Sequence, residues 1–351
     1  MRTYVIEQGE SKRYDALKTL MCVFVLVIHA FSTSIAAVCP PSLAWPYQIT
    51  FSLSRIVCDC AVPVFILISS VLLYAKPFQW WPNVKKKVRS LLVPYLIFNT
   101  LWVVLVFAKH ILGEKLGIRA GDDVDLAAFS LFDWLDAYLG LREGYKPILS
   151  TLWYVRDLFL LNLLALPIKK LVDRFPMLTL VVLLLLWVCD VKIPVIQAYS
   201  LIFFILGYYL VRYDIHFRDL DRMLNKYLVG AVFLALLVAD ILLRRQIIPL
   251  HRVFLLVSVI TCIRVSGLLC SFPKTIALIM PVSYFIYLTH RFVYAIIEVV
   301  LPRSMTAYLA AYVCKPAIAL AVLVGVYYFL RRYLPGLLGV LTGGRTKKTK
   351  K

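Results

Sequence analysis

About ten separate stretches of this chain stay apolar for long enough, roughly 20 residues, to cross a ~30 Å hydrocarbon core as a helix. They lie near 15–37, 55–75, 90–112, 150–170, 176–191, 194–212, 227–245, 250–271, 276–300 and 305–333, the fifth and sixth divided only by Lys192 and Pro194. With 62% hydrophobic residues, a mean hydropathy of +0.84 and only 17% charged residues, a soluble domain is excluded. The sequence predicts an all-α polytopic membrane protein, a bundle of about ten transmembrane helices.

A net charge of +20 would suggest nucleic acid in a soluble protein. Here its distribution speaks for topology: 23 Lys and Arg fall in the segments on the side of the two termini and ten on the other. By the positive-inside rule both termini are expected in the cytoplasm. AAVC, Ala36 to Cys39, faintly resembles a lipoprotein cleavage site, but the first apolar run is too long for a signal peptide and Val38 stands where a small residue is wanted. The eight cysteines show no metal-ligand spacing, so no metal is expected. Residues 1–335 read as one membrane domain and 336–351 as a basic cytoplasmic tail, solvated or touching lipid. The one sizeable loop, about Gly113 to Pro147, holds Glu114, Asp122, Asp123, Asp125, Asp133, Asp136 and Glu143. Its Phe129, Phe132, Leu135 and Leu139 recur at the spacing of a short amphipathic helix. With no soluble module attached, any chemistry belongs to the bundle.

Ionisable residues inside spans are costly and mark candidate sites. At 1.5 Å per residue, His29 lies roughly 20 Å into the first span, within the outer half of the bilayer. Lys18 is eleven residues earlier on the same face, with Asp15, Cys22 and Val25. The fourth span brings Trp153, Arg156 and Asp157 to the same depth, and the ninth brings Ser283, Tyr287, His290 and Arg291. Arg55 and Asp59 stand one turn apart in the second. Two readings stay open for several of these. Arg156 with Asp157, or Arg55 with Asp59, serves equally as a structural ion pair. Trp153 and Tyr287 serve equally as packing or interface aromatics, and a neutral histidine is satisfied by one neighbour.

These residues carry a resemblance. The chain resembles the acyltransferase 3 family, integral-membrane enzymes that move acyl groups, usually acetyl, from coenzyme A thioesters to bacterial cell-envelope glycans. Lys18 to His29 looks like the family's (Arg/Lys)-x10-His motif, preceded by RYDAL, and VPVFILISS, Val62 to Ser70, like its second-span signature. Lys86-x-x-Arg89 in VKKKVRSLLVPYLIFN stands in the place of an Arg-x-x-Arg, while TLWYVRDLF and YFIYLTHRF complete the set. Two positions depart: Ser69-Ser70 replaces a frequent Ser-Gly, and Lys86 lacks the bidentate phosphate contact of a guanidinium.

The resemblance implies an O-acyltransferase in the bacterial inner membrane, with acetyl-CoA or another acyl-CoA as donor substrate, no permanently bound cofactor, and an envelope saccharide as acceptor. His29 would be the general base, oriented by Asp157 or Asp59. Arg156, Arg291, Tyr287 or His290 would stabilise the oxyanion or bind acceptor, with Trp153, Arg55 and Asp59 among the substrate-binding candidates. Lys18, Lys86 and Arg89 would hold the donor's phosphates. The rival reading is a transporter or flippase for saccharides or lipid-linked glycans, using the same buried charges as a binding relay. Substituting His29 separates the two readings, since a transporter consumes no thioester.

Overall fold

The computed structural model describes residues 4–32, 39–116, 126–142, 146–191, 193–300 and 304–345. Every regular element among them is helical. In chain order they are α1 (Gln8–Ala30), α2 (the run Pro41–Tyr74), α3 (Trp80–Lys109), α4 (Leu131–Leu139), α5 (Trp153–Leu163), α6 (Ala165–Arg174) and α7 (Pro176–Val188). Then follow α8 (Ala198–Arg212), α9 (Phe217–Met223), α10 (Lys226–Leu242), α11 (Ile248–Leu269), α12 (Pro273–Val300), α13 (Met305–Tyr333) and α14 (Pro335–Leu341). The AAV of the cleavage-like motif, the loop acids Asp122, Asp123, Asp125 and Glu143, and Lys192 lie outside the described residues, as do Arg119, Arg303 and the lysines from 347 onward.

Helices coincide with all ten apolar stretches, but ten crossings are not established. Five of them, α2, α3, α11, α12 and α13, are each long and apolar enough to cross; there are up to seven if the bent pairs α5–α6 (60°) and α8–α9 (88°) each form one span. The reasons are local. Helix α7 has only 13 residues and α10 only 17, while α1 keeps Arg13, Asp15 and Lys18 within its last 18. Helix α1 also stops at Ala30, with Phe31 already extended. His29 therefore occupies a helix end, not the middle of a span.

The described chain divides into two compact units. One is Met1–Gln79, Ala165–Lys192 and Ala198–Tyr328; the other is Trp80–Leu164, Ile193–Gln197 and Phe329–Lys351. In the first, α1 packs against α2, α11 and α12, burying Leu17, Met21 and Leu26 completely or nearly so. Between apolar helices in lipid there is little hydrophobic drive, so close approach of small residues carries the packing. Gly207 on α8 provides that approach. A methyl group there would sit 2.6 Å from the Leu67 carbonyl oxygen and 2.7 Å from Ser70 Cβ on α2, and Ser70 Oγ donates to the Phe204 carbonyl across the same contact at 2.5 Å. Gly207→Ala is expected to cost about 1–3 kcal/mol through overpacking, read as a lowered thermal midpoint in detergent; an unchanged midpoint would show that the contact yields freely.

Prolines explain the irregular turns. A proline has no N–H for the carbonyl four residues earlier and its ring crowds that carbonyl. Pro63 thus disturbs Asp59, beside which α2 winds through a π turn at Leu53–Val57 and a tighter turn at Cys58–Cys60. Pro94 disturbs Ser90, within a second π turn at Val88–Leu92. Pro167 disturbs Leu163, where α5 ends and the 60° bend begins, and Trp80 Nε1 donates to the released Leu163 carbonyl at 2.9 Å. The predicted amphipathic helix is α4. Ser130 and Asp133 cap its start reciprocally and Gly140 ends it in the left-handed region, while Leu131, Phe132, Leu135 and Leu139 are exposed. The Ser130 hydroxyl and backbone N–H, with Arg142, hold the Asp133 carboxyl below its ordinary range.

Candidate active site

Within the larger unit, the last turn of α1 and the middle of α12 bring two histidines together. The rings of His29 and His290 lie with centroids 5.1 Å apart, tilted by 37°. His290 is fully buried. Its Nδ1 lies 3.0 Å from the Ile286 carbonyl oxygen and 2.9 Å from that of Tyr287. Carbonyl oxygens only accept, so Nδ1 carries the hydrogen and donates to them. Nε2 of a neutral His290 then bears the lone pair, and it has no hydrogen-bond partner among the described residues. Such an orphaned buried acceptor is costly and calls for an explanation. It also bears on the expected oxyanion role, because a neutral His290 offers an acceptor there, not a donor.

Further contacts fix this pair. Tyr294, one turn beyond His290 and edge-on to its ring at 5.8 Å, donates to the Leu26 carbonyl of α1 at 2.8 Å. Ser54 Oγ, in the π turn of α2, donates to the Val27 carbonyl at 2.9 Å and lies 2.7 Å from the Tyr312 hydroxyl of α13. A π turn adds a residue to the ladder and re-aims side chains, which suits a site. Tyr287 neighbours the His290 ring at 6.2 Å. Arg291 approaches Glu298 at 3.9 Å, and Glu298 accepts from the buried Lys315 of α13 at 2.9 Å. Arg55 stacks over Phe31 at 5.3 Å. These contacts join α1, α2, α12 and α13 beside the two imidazoles, with Tyr287 and Tyr294 against the His290 ring.

The two carboxylates expected to orient His29 make the following pairings. Asp59 Oδ2 pairs with Arg245 at 2.8 Å and with His251 Nε2 at 3.0 Å, while His251 Nδ1 meets the fully buried Asp240 at 2.6 Å. Arg55 contributes its backbone carbonyl, which accepts from Arg245 at 2.7 Å. Asp157 belongs to the smaller unit, where Oδ1 accepts from Arg156 at 2.8 Å and Oδ2 from the Gln197 N–H at 3.0 Å. Arg156 also donates to the Leu139 carbonyl at 2.7 Å and the Val195 carbonyl at 2.6 Å. Val195, β-branched yet at φ +68, is thus held in a conformation unfavourable for its type. Trp153 sits beside Tyr154 in the same unit. Lys18 pairs with Asp15 at 3.3 Å on α1; Arg89, in the π turn of α3, and Lys86, in the helical turn before it, are exposed.

Sequence reasoning missed His251, Asp240, Glu298 and Lys315. The signal was available, since each is an ionisable residue in or beside an apolar stretch, and Glu298 stands two turns from Arg291 on one face of α12. Only the pairing of neighbouring helices joins Glu298 to Lys315 and Asp240 to His251.

Comparison with known proteins bears on these findings. The acyltransferase-domain family Acyl_transf_3 matches residues 11–331. A curated relative, the succinoglycan biosynthesis protein ExoH of Rhizobium meliloti (strain 1021), is 27% identical over 298 residues, covering 81% of this chain and 79% of its own length. No solved structure matches. A family match over nearly the whole helical chain, His29 and His290 included, leaves one conclusion: the chain belongs to the acyltransferase 3 family.

Proposed function

We propose that the protein is a membrane O-acyltransferase that moves a small acyl group, most simply acetyl, from cytoplasmic acyl-CoA to a hydroxyl of an extracellular polysaccharide. The observation that carries this is the His29–His290 pair with its buried, unpartnered acceptor nitrogen. The kinship with ExoH, a succinoglycan biosynthesis protein, supports a polysaccharide as the acceptor, and the charge distribution supports cytoplasmic termini in a plasma membrane.

The chemistry follows from the groups present. The acceptor hydroxyl gives its proton to His29 as its oxygen forms a bond to the thioester carbonyl carbon. The tetrahedral oxyanion forms beside Arg291, whose guanidinium suits it as a donor. The carbon–sulfur bond then breaks, the electron pair leaves on sulfur, and the imidazolium returns its proton to the thiolate. The last carbonyls of α1 surround His29 and favour its transient positive charge, and His290 Nε2 accepts a hydrogen bond from either the acceptor hydroxyl or that imidazolium. Within the smaller unit Arg156 and Asp157 act as positioning residues for the 139–140 and 195–197 backbones, and in the larger unit the aromatic Tyr287 beside His290 faces saccharide. Lys86 and Arg89 hold donor phosphates.

Purified protein in nanodiscs, given radiolabelled acetyl-CoA and bacterial exopolysaccharide, is expected to move label to the polymer and release free coenzyme A in equal amount. Saccharide uptake by proteoliposomes of the same protein, without thioester consumption, would establish the transporter reading instead.

A further inference from the structure

The C-terminal segment of the smaller unit docks on the π turn of α3. Gly343 and Gly344 follow α14 with φ of +64° and +78°, a conformation that glycine alone adopts without strain. Gly343 lies so close that an added methyl would stand 2.6 Å from the Arg89 carbonyl oxygen, and one on Gly344 would stand 3.7 Å from Arg89 Nε. This turn delivers Arg345, whose Nη2 donates at 3.5 Å to the Ser90 carbonyl. Pro94 has no N–H to give that same carbonyl.

Several cations are thereby gathered on one turn. Lys87 feels the charges of both Arg345 and Lys86, and Arg89 lies under Gly344. Among the described residues no carboxylate pairs with Lys86, Lys87 or Arg89. Like charges repel, so a glycine turn that adds an arginine to such a cluster makes sense if an anion shares it. Lys86 makes only a point contact with a phosphate, whereas each guanidinium grips one through two parallel bonds, so Arg345 adds a second such fork to that of Arg89.

We propose that Arg345, Arg89 and Lys86 form a phosphate-binding site in which the docked tail supplies the second guanidinium. Its ligand is a phosphate ester, either the nucleotide end of the acyl-CoA donor or an anionic lipid headgroup. The first source rests on the acyl-CoA reading above.

The test uses the full-length protein in nanodiscs and two probes that contain no thioester. In wholly zwitterionic lipid, adenosine 3′,5′-bisphosphate is expected to bind the wild type, with affinity falling roughly tenfold or more in R345A and less in R345K. Such a result in a protein that transfers no acyl group keeps the site and refutes the function proposed above. If the nucleotide does not bind but phosphatidylglycerol raises the thermal midpoint of the wild type and not of R345A, the phosphate is the lipid's and the site stands. Equal responses of wild type and R345A to both probes overturn the proposal, provided R345A matches the wild type's midpoint in zwitterionic lipid; R345Q serves if it does not.

Discussion

His29→Ala is expected to lower the turnover of acyl transfer by a factor of roughly 10² to 10⁴, the usual contribution of a general base, while binding of acyl-CoA persists. The argument rests on position. His29 is half-buried in the last turn of α1, beside a second imidazole whose available nitrogen accepts. Tyr294 and Ser54 tie the preceding carbonyls to α12 and α2, so the ring is presented by a braced turn and its removal should leave the fold intact. Added imidazole is expected to restore part of the rate to the alanine variant, which a purely structural role would not allow. Transfer at the wild-type rate by His29→Ala would sink the base assignment. In that case His290→Ala becomes the deciding variant, because its Nε2 is the remaining acceptor in the pair.

The second large effect is on stability. Arg156 and Asp157 are 5% and 0% exposed in their side chains, and breaking a buried pair by removing one partner costs about 3–5 kcal/mol because the other charge is stranded. Arg156→Ala should therefore lower the thermal midpoint in detergent markedly. It also strips the donors from the Leu139 and Val195 carbonyls, so the double variant R156M/D157L is expected to recover only part of the loss. If Arg156→Ala instead melted like the wild type but lost turnover, the arginine would be touching substrate, and the positioning role given to it would fall.

The helices were legible because hydrocarbon imposes a length, and each apolar stretch of about 20 residues declared itself. Their interruptions were legible only in part. Pro167 is enough to end α5 at Leu163, yet the stretch 150–170 reads as continuous by hydropathy because Leu, Ala and Pro leave the average high. The site was legible as a set of costly residues at one depth, which is how His29, His290 and Arg291 came out together. Their partners were not. Asp59 stands one turn from Arg55 in sequence, but its charge goes to His251 and Arg245 from another hairpin, and no periodicity along a single helix encodes a meeting between two.

The pair of Glu298 with Lys315 has a consequence for how the protein is made. A lone charge near the middle of a nascent helix costs about 2.5–3.5 kcal/mol to hand from the translocation machinery to lipid. Lys315 lies a third of the way along α13, so that helix leaving alone would carry its charge uncompensated, whereas Glu298, at the end of α12, already has Arg291 of its own helix 3.9 Å away. Leaving as a hairpin with α12, Lys315 meets Glu298 first, so the two helices should form a single unit of membrane insertion, with His290 delivered inside it.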